Sequence, residues 1–368
     1  PHGIEDFYET GATSNITVGF LQGGEKYNIK TTVNHVGTTL INPNSDRKQT
    51  TISFKGSYNV TEKLKFNGVF NYQYRYTFNN PQDRGYAGNF NEWWQRQLDM
   101  TRLRNYKRNG QIVSWNMRAY DNPTPLYWDS PYFEVYENLN HETKNAIYGS
   151  LGLEYEILPE LVATVDLRRT FDLYNYDDRN AWGGLATPRY LEKTTQNEFT
   201  EAYTQLSYNK KIGDFDLVAS AGAQFNQRKY KLIQAQTVGG LQIPNYYSID
   251  TSVDKPNYVR DSRHQKLNST FATASVGYKN FLYLDGSYRI DWGSTAASDN
   301  NSVDTYGVSA SFIFSEFIND GSFLSFGKIR AGFAQAPSFP DVYRLQSTYD
   351  IQNPYGSNVA LSVPDILN

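Results

Sequence analysis

Side chains able to do covalent or metal chemistry are few in this chain, and their spacing does not serve it. His2, His35, His141 and His264 are scattered, without the short intervals of a metal site. Asp166 with Asp172, and Asp285 with Asp291, have the type and facing of paired acids. Each pair sits on a strand face already rich in polar residues, which reads as a wetted wall rather than a dry cleft. Asp299-Asn300-Asn301 with Asp304 offers oxygen ligands for calcium, but not at the intervals of a dedicated loop, and a solvated connection accounts for it. No nucleophile elbow, phosphate loop or dinucleotide fingerprint occurs. Cysteine is absent, which removes thiolate nucleophiles, thiolate metal ligands and disulfides. Net charge is -3 with both signs mixed, so no basic field points to nucleic acid. The expectation is a protein that is not an enzyme, with no catalytic residue, metal or cofactor.

The elements that would hold these residues alternate apolar and polar. From Val303 to Ser315, Tyr306, Val308, Ala310, Phe312 and Phe314 fall on one face, and Thr305, Gly307, Ser309 and Ser311 on the other. About twelve such segments follow one another in six hairpins. In the second hairpin, Ile52, Phe54, Tyr58, Phe66, Phe70, Tyr72 and Tyr74 oppose Ser53, Lys55, Asn59, Asn67, Asn71, Gln73 and Arg75. In the strand from Leu161, the apolar face is interrupted by Arg169. Several segments exceed ten residues, longer than soluble strands of about 5–6 and suited to a tilted bilayer crossing of about 9–11. Charges on the second face would be costly in a dry sandwich core and comfortable in a wet lumen. The lumen-lining set expected on this basis is Lys55, Arg75, Asp166, Arg168, Asp285, Arg289, Lys328 and Arg330. The 30 Tyr and 6 Trp suit a membrane–water boundary. No run of roughly 18 apolar residues exists, and only 39% of residues are apolar, but a barrel needs only every second residue to be so. The fold class expected is an all-β antiparallel transmembrane barrel, seen in part.

Connections alternate short and long, as periplasmic turns and extracellular loops do. The long ones are expected at 79–144, 176–196, 227–264 and 335–368. In the first of these, Asn91 to Leu103 lacks Gly and Pro and reads as a short helix. Aromatic rings gather in the loops: Trp93, Trp94, Trp115, Tyr127, Trp128, Tyr132, Tyr136 and Trp182. Rings of this kind either stack on a ligand or partner, with Arg96 beside them, or pack the loop's own small core. The chain opens at Pro1 without a signal peptide, and further residues are expected before it and after Asn368.

Three stretches resemble the SusC/RagA family of TonB-dependent outer-membrane transporters of Bacteroidota. They are SNITVGFLQGG at 14–24, SPYFEVYEN at 130–138 with the hairpin that follows to Arg179, and YGVSASFIFSEFINDGSFLSFGKIRAGFAQA at 306–336. Ser130 stands where the family's motif usually has Asn. The resemblance covers nearly the whole chain but only the middle of the family's barrel. It implies a barrel of about 22 strands filled by a plug. It also implies coupling to TonB-ExbB-ExbD through an N-terminal part outside this chain, and a SusD-like surface lipoprotein as a lid. Outer-membrane lipid and lipopolysaccharide would surround the wall. The activity implied is import of oligosaccharide or peptide nutrients. The rival readings are a passive porin, a structural component of a larger outer-membrane assembly, and a soluble β enzyme acting on polysaccharide.

Overall fold

The computed structural model describes residues 2–81, 94–318, 324–345 and 349–362. Twelve antiparallel strands form one sheet in which every neighbour in space is the next long strand in sequence. They are β1 (Ala12–Gly23), β2 (Tyr27–Thr39), β3 (Asp46–Asn59) and β4 (Leu64–Phe78), and after the long loop β9 (Asn140–Leu158) to β16 (Ile329–Gln335). Between these last two lie β10 (Leu161–Asn180), β11 (Arg189–Ile212), β12 (Phe215–Leu241), β13 (Ser252–Tyr278), β14 (Leu282–Gly293) and β15 (Ser302–Phe312). The loop itself carries two short hairpins, β5 (Lys107–Arg108) with β6 (Gln111–Ile112) and β7 (Met117–Ala119) with β8 (Asn122–Pro125). It also carries two short helices, α1 (Met100–Leu103) and α2 (Pro131–Tyr136). A last pair, β17 (Asp350–Tyr355) and β18 (Asn358–Ser362), stands apart from the main sheet.

The register sorts the side chains as the alternation requires. Phe54 faces Phe70, Ile52 faces Tyr72, Leu284 faces Ala310 and Tyr288 faces Tyr306, all on one side. Lys55, Arg75, Asp166, Arg168, Asp285, Arg289 and Arg330 all fall on the other. The apolar side is exposed, with Val18 at 68% and Val308 at 60%. Soluble monomers rarely leave so continuous an apolar wall to water. Along β12 this wall runs from Phe215 to Phe225, about 33 Å of strand, which a tilt of about 40° turns into a rise of about 25 Å, the height of a barrel's apolar band.

At one rim the strands join by tight turns. Leu158 pairs directly with Leu161 around Pro159-Glu160, and Ile212 with Phe215 around Gly213-Asp214. Lys279 and Asn280 both take the left-handed backbone (φ 47 and 61) of the turn that suits the twist of a hairpin. At the opposite rim the ladder runs far beyond the expected strand ends. The connections expected at 176–196 and 227–264 shrink to 181–188 and 242–251, because β10 to β13 keep pairing through Asn180↔Arg189 and Leu241↔Ser252. Polar side chains on both faces hid these extensions, since a strand outside an apolar medium has no need to alternate.

Three further expectations are corrected. The helix expected over Asn91–Leu103 is confined to α1, where the Asp99 side chain caps Thr101 N–H and Arg102 N–H at 3.0 and 3.2 Å; the part at 91–93 lies outside the described residues. The strand from Val303 stops at Phe312, and a 3-10 turn takes Phe314–Phe317. An aromatic cluster replaces the ladder there, with Phe317 at 4.8 Å from Phe281 and 5.7 Å from Phe312. The last strand of the main sheet starts at Ile329, so Lys328, expected on the lumen face, falls outside it and sits over the Tyr283 ring at 5.7 Å.

The two faces predict opposite responses to the same side chain. Val308→Arg, at mid-height on the apolar face, should cost about 2–4 kcal/mol if that face meets lipid. Ser287→Arg, at the same height on the polar face, should cost little. Urea titration of the protein refolded into lipid vesicles separates them; equal costs would contradict the assignment of faces.

Candidate functional site

The polar face carries a hydrogen-bonded chain across five neighbouring strands. Arg168 on β10 donates to Glu201 on β11 at 2.9 Å. Gln224 on β12 donates to the other Glu201 oxygen at 2.5 Å. Arg289 on β14 donates to Gln224 at 3.0 Å, to Ser269 on β13 at 2.7 Å and to Asp291 at 2.7 Å. Asp166 lies 3.7 Å from Arg168. Ser269 is 1% exposed and Glu201 6%. Such a chain fixes side chains that would otherwise be free in water, and charge-assisted bonds are its strongest links. Tyr203 and Phe271 stack beside it at 5.6 Å.

Farther from the tight turns the same face hollows into a cavity of about 980 Å³. Its wall is Asp172, Asn197, Phe199, Arg228, Tyr230 and Arg263, and Asp341, Tyr343 and Arg344 close it from the segment after β16. The tail expected as a loop beyond the rim therefore returns in part to the polar face. Arg228 lies over Phe199 at 5.3 Å and Arg263 over Tyr230 at 5.5 Å. Asp261 holds Arg263 at 2.7 Å, and Lys144 lies 3.6 Å from Asp172. Flat rings, guanidinium groups and carboxylates in one space suit a flexible polar solute with both charged and apolar parts. Sequence reasoning missed Phe199, Arg228, Tyr230 and Arg263 because it ended the strands too early; period-two spacing of Arg228 with Tyr230 was the available signal.

The loop aromatics divide. Trp93 lies outside the described residues. Trp94 packs edge-on to Trp115 at 5.6 Å. Tyr132 joins Phe7, Met100 and Val135 in a small core that Trp94 also touches. Trp115 and Tyr132 are buried, so both serve the loop's own packing. Tyr136 stacks on Tyr132 and Tyr106, half exposed. Tyr127 (75% exposed) and Trp182 (37%) remain open, and Trp128 is half-buried. Arg96 is exposed.

Of the expected lumen set, Arg75 sits 4.0 Å from Glu142, and Asp285 accepts from Ser275 and Ser309 at 2.6 and 3.0 Å. Lys55 faces Lys30 across β2, a like-charged pair apart from the main chain of bonds. Lys328 and Arg330 border a separate hollow with Tyr283 and Asp285.

The loop is pinned to the strand ends by a polar clasp at the end of the SPYFEVYEN stretch. Asn79 and Asn44 both donate to Val135 C=O at 2.8 Å, Arg179 donates to Glu137 C=O at 3.0 Å, and Asn138 accepts from Ala181 N–H at 2.7 Å. Tyr106 donates to Glu137 at 2.8 Å, and burial with that bond pushes its hydroxyl well above the usual tyrosine range. Asp129 accepts from Leu185 N–H at 2.9 Å, yet burial outweighs this bond and raises its carboxyl.

No family model matches the sequence, and no curated protein matches it. Solved structures do share the fold. The RagAB peptide transporter aligns with a TM-score of 0.75 at 14% identity, covering 95% of this chain and 40% of that one. The RagAB peptide importer in its closed-closed state gives 0.76 at 15% identity, covering 97% and 40%. The ferric-catecholate receptor Fiu of E. coli K12, in its open form, gives 0.54 at 10% identity, covering 89% and 53%. The twelve strands thus share the fold of part of the antiparallel wall of these barrels. The fold is like that of the SusC/RagA-type chains, and this chain spans about 40% of the RagAB chains it matches.

Two tests follow from the site. Glu201→Ala strips Arg168 and Gln224 of their shared acceptor and should lower stability by about 1–3 kcal/mol, whereas Glu201→Gln, which keeps an acceptor, should cost less. Equal losses in urea titrations would dismiss the network. For Asp129, a raised folded-state value means that the protonated acid favours the folded loop. The stability it contributes is present at low pH and declines as pH rises above the unfolded value of about 4. Protease cutting within 181–188 should therefore rise with pH across that range in the wild type and lose this dependence in Asp129→Asn.

Proposed function

We propose that this chain forms part of the wall of an outer-membrane importer that takes up peptide or oligosaccharide nutrients under TonB drive. The polar face is the lumen wall, the apolar face meets lipid, and the rim of long connections faces the outside. The observation that carries the reading is the joint one of fold and cavity. The wall shares the fold of the RagAB peptide transporter, and its polar face holds a cavity lined by aromatic, cationic and anionic groups.

Mechanistically, solute enters at the long-connection rim, where Tyr127, Trp128 and Trp182 offer rings and Arg96 is exposed. It then rests in the upper cavity, where Arg228 and Arg263 take carboxylates or hydroxyls and Phe199 and Tyr230 take apolar surface. A surface lipoprotein closes over the loops, and a plug in the remainder of the full-length protein moves when TonB-ExbB-ExbD pulls it. Peptide is the better fit of the two solute classes. The ion-paired Arg263–Asp261 and the Arg228 lacking a carboxylate within 4.0 Å among the described residues would serve both charged ends of a peptide. No bond is made or broken in the solute.

Radiolabelled uptake by cells carrying the full-length protein tests this. Uptake should stop on removal of ExbB or on adding a protonophore. Arg228→Ala should reduce it about tenfold, the equivalent of roughly 1.4 kcal/mol, with unchanged amounts of folded protein. Uptake that persists without the energy complex would favour a passive porin. A solitary barrel in a gentle detergent pull-down would remove the lipoprotein from the scheme.

A further inference from the structure

The segment that leaves β16 turns back over the polar face and reaches the cavity. Its sequence, at 336–345, is APSFPDVYRL. Pro337 and Pro340 have no N–H to give a ladder, and each holds the residue before it extended, so pairing ends at Gln335. No main-chain hydrogen bond ties 336–345 to the sheet among the described residues. All of the segment except Phe339 and Val342 is exposed.

One contact seats it. Phe339 lies against Gly293, at the end of β14, where a Cβ would come within 2.7 to 2.8 Å of three of its ring atoms. Gly293 has no left-handed backbone, so the missing side chain supplies room for that ring. Beyond this notch Asp341, Tyr343 and Arg344 border the cavity that Arg228 and Arg263 line. Tyr343 takes φ 62, a left-handed backbone that a bulky side chain rarely adopts, so the seated segment carries strain.

Asp341 is the segment's one carboxylate. Arg263 gives its Nε and one terminal nitrogen to a single Asp261 oxygen, at 2.8 and 2.7 Å. A guanidinium carries further N–H donors, so its other edge suits a second acid. The bond and charge of Asp261, then the charges of Tyr230 and Asp341, hold Arg263 above its ordinary range. Asp341 closes no ion pair within 4.0 Å among the described residues, so its hold is loose.

We propose that residues 336–345 form a strap that serves the cavity as an internal ligand. Asp341 supplies the carboxylate that an acidic peptide brings during import, and such a peptide lifts the strap from the Gly293 notch. The occupant is inferred from the strap, which is itself an extended peptide pairing an aromatic ring with a carboxylate. A ring in a notch and a distant charge hold the strap, whereas a free peptide closes a direct ion pair and displaces it. The proposal rests on the reading of this cavity as the place where solute rests.

The test uses full-length protein in mild detergent and a fluorescein-labelled peptide of the strap's own sequence, PSFPDVYR. Phe339→Ala frees the strap and leaves the notch open. It should bind this peptide about fivefold tighter than wild type in anisotropy titrations, because wild type offers only the fraction of molecules with an unseated strap. Asp341→Asn, at an exposed position, should tighten binding in the same direction. The peptide with Asn in place of Asp should bind Phe339→Ala about tenfold more weakly, and so should the acidic peptide bind Phe339→Ala/Arg263→Ala. This chain has no cysteine, and a Cβ at Gly293 lies 2.8 Å from Phe339 Cγ, so Gly293→Cys/Phe339→Cys is within reach of a disulfide. That variant should bind the peptide about fivefold more weakly when oxidised than after dithiothreitol. Heat-modifiable gel migration verifies folding of each variant. Equal binding by wild type, Phe339→Ala and Asp341→Asn, equal binding of the two peptides, or indifference of the cysteine pair to dithiothreitol overturns the proposal. If Arg228→Ala weakens peptide binding while the strap variants leave it unchanged, only the strap falls. If Arg228→Ala and Arg263→Ala both bind as wild type does, the cavity is not the site and both readings fall.

Discussion

The need to pair the main-chain N–H and C=O groups of its long strands governs this structure. Between Ala12 and Gln335 the long strands answer it with one unbroken antiparallel ladder, each strand bonded to the next long strand in sequence. Once the ladder exists, period-two geometry does the rest. Every second side chain enters an apolar wall and every other one a polar wall, so a chain with few apolar residues still presents a continuous greasy surface. The tight turns around Pro159-Glu160, Gly213-Asp214 and Lys279-Asn280 hold the register that keeps the faces separate, because a slip of one residue would exchange them.

The polar wall is ordered by its own bonds. Glu201 joins Arg168 to Gln224, and Arg289 joins Gln224 to β13 and β14, so groups that a wet surface would leave mobile are held in place. Farther up, where the wall leaves the band of apolar residues, stacked pairs of guanidinium and ring take over, and the surface widens into the cavity. The shift from a tied network to an open, mixed surface separates a bonded zone of the wall from an open one.

The long loop after β4 behaves as a small domain with its own core. Phe7, from before β1, enters that core with Met100, Tyr132 and Val135, so the start of the chain and the loop stabilise one another. The Asn79, Asn44, Arg179 and Asn138 clasp gives the buried ends of the loop their hydrogen-bond partners, which a segment held over a barrel rim must have. Half of the aromatic cluster that could have contacted a ligand is consumed by this packing. Composition could not divide the two roles, since a ring suited to stacking on a solute is equally suited to a core.

Sequence by itself determined the faces, the hairpins, the tight-turn rim and the presence of one large loop. Each depends on residues near one another in the chain, through alternation and turn chemistry. It also placed Arg75, Asp166, Arg168, Asp285, Arg289 and Arg330 on the polar side, because a side chain's face follows from counting by two. Only the tertiary structure decided how far β10 to β13 run, since beyond the apolar band no alternation marks a strand and pairing across neighbours alone extends it. It explained Arg169, a lone charge in an apolar series until Glu198 of the adjacent strand is seen beside it. It also assembled the cavity, whose walls come from Asp172 to Arg344 and meet only because five separate segments of chain are brought to one face.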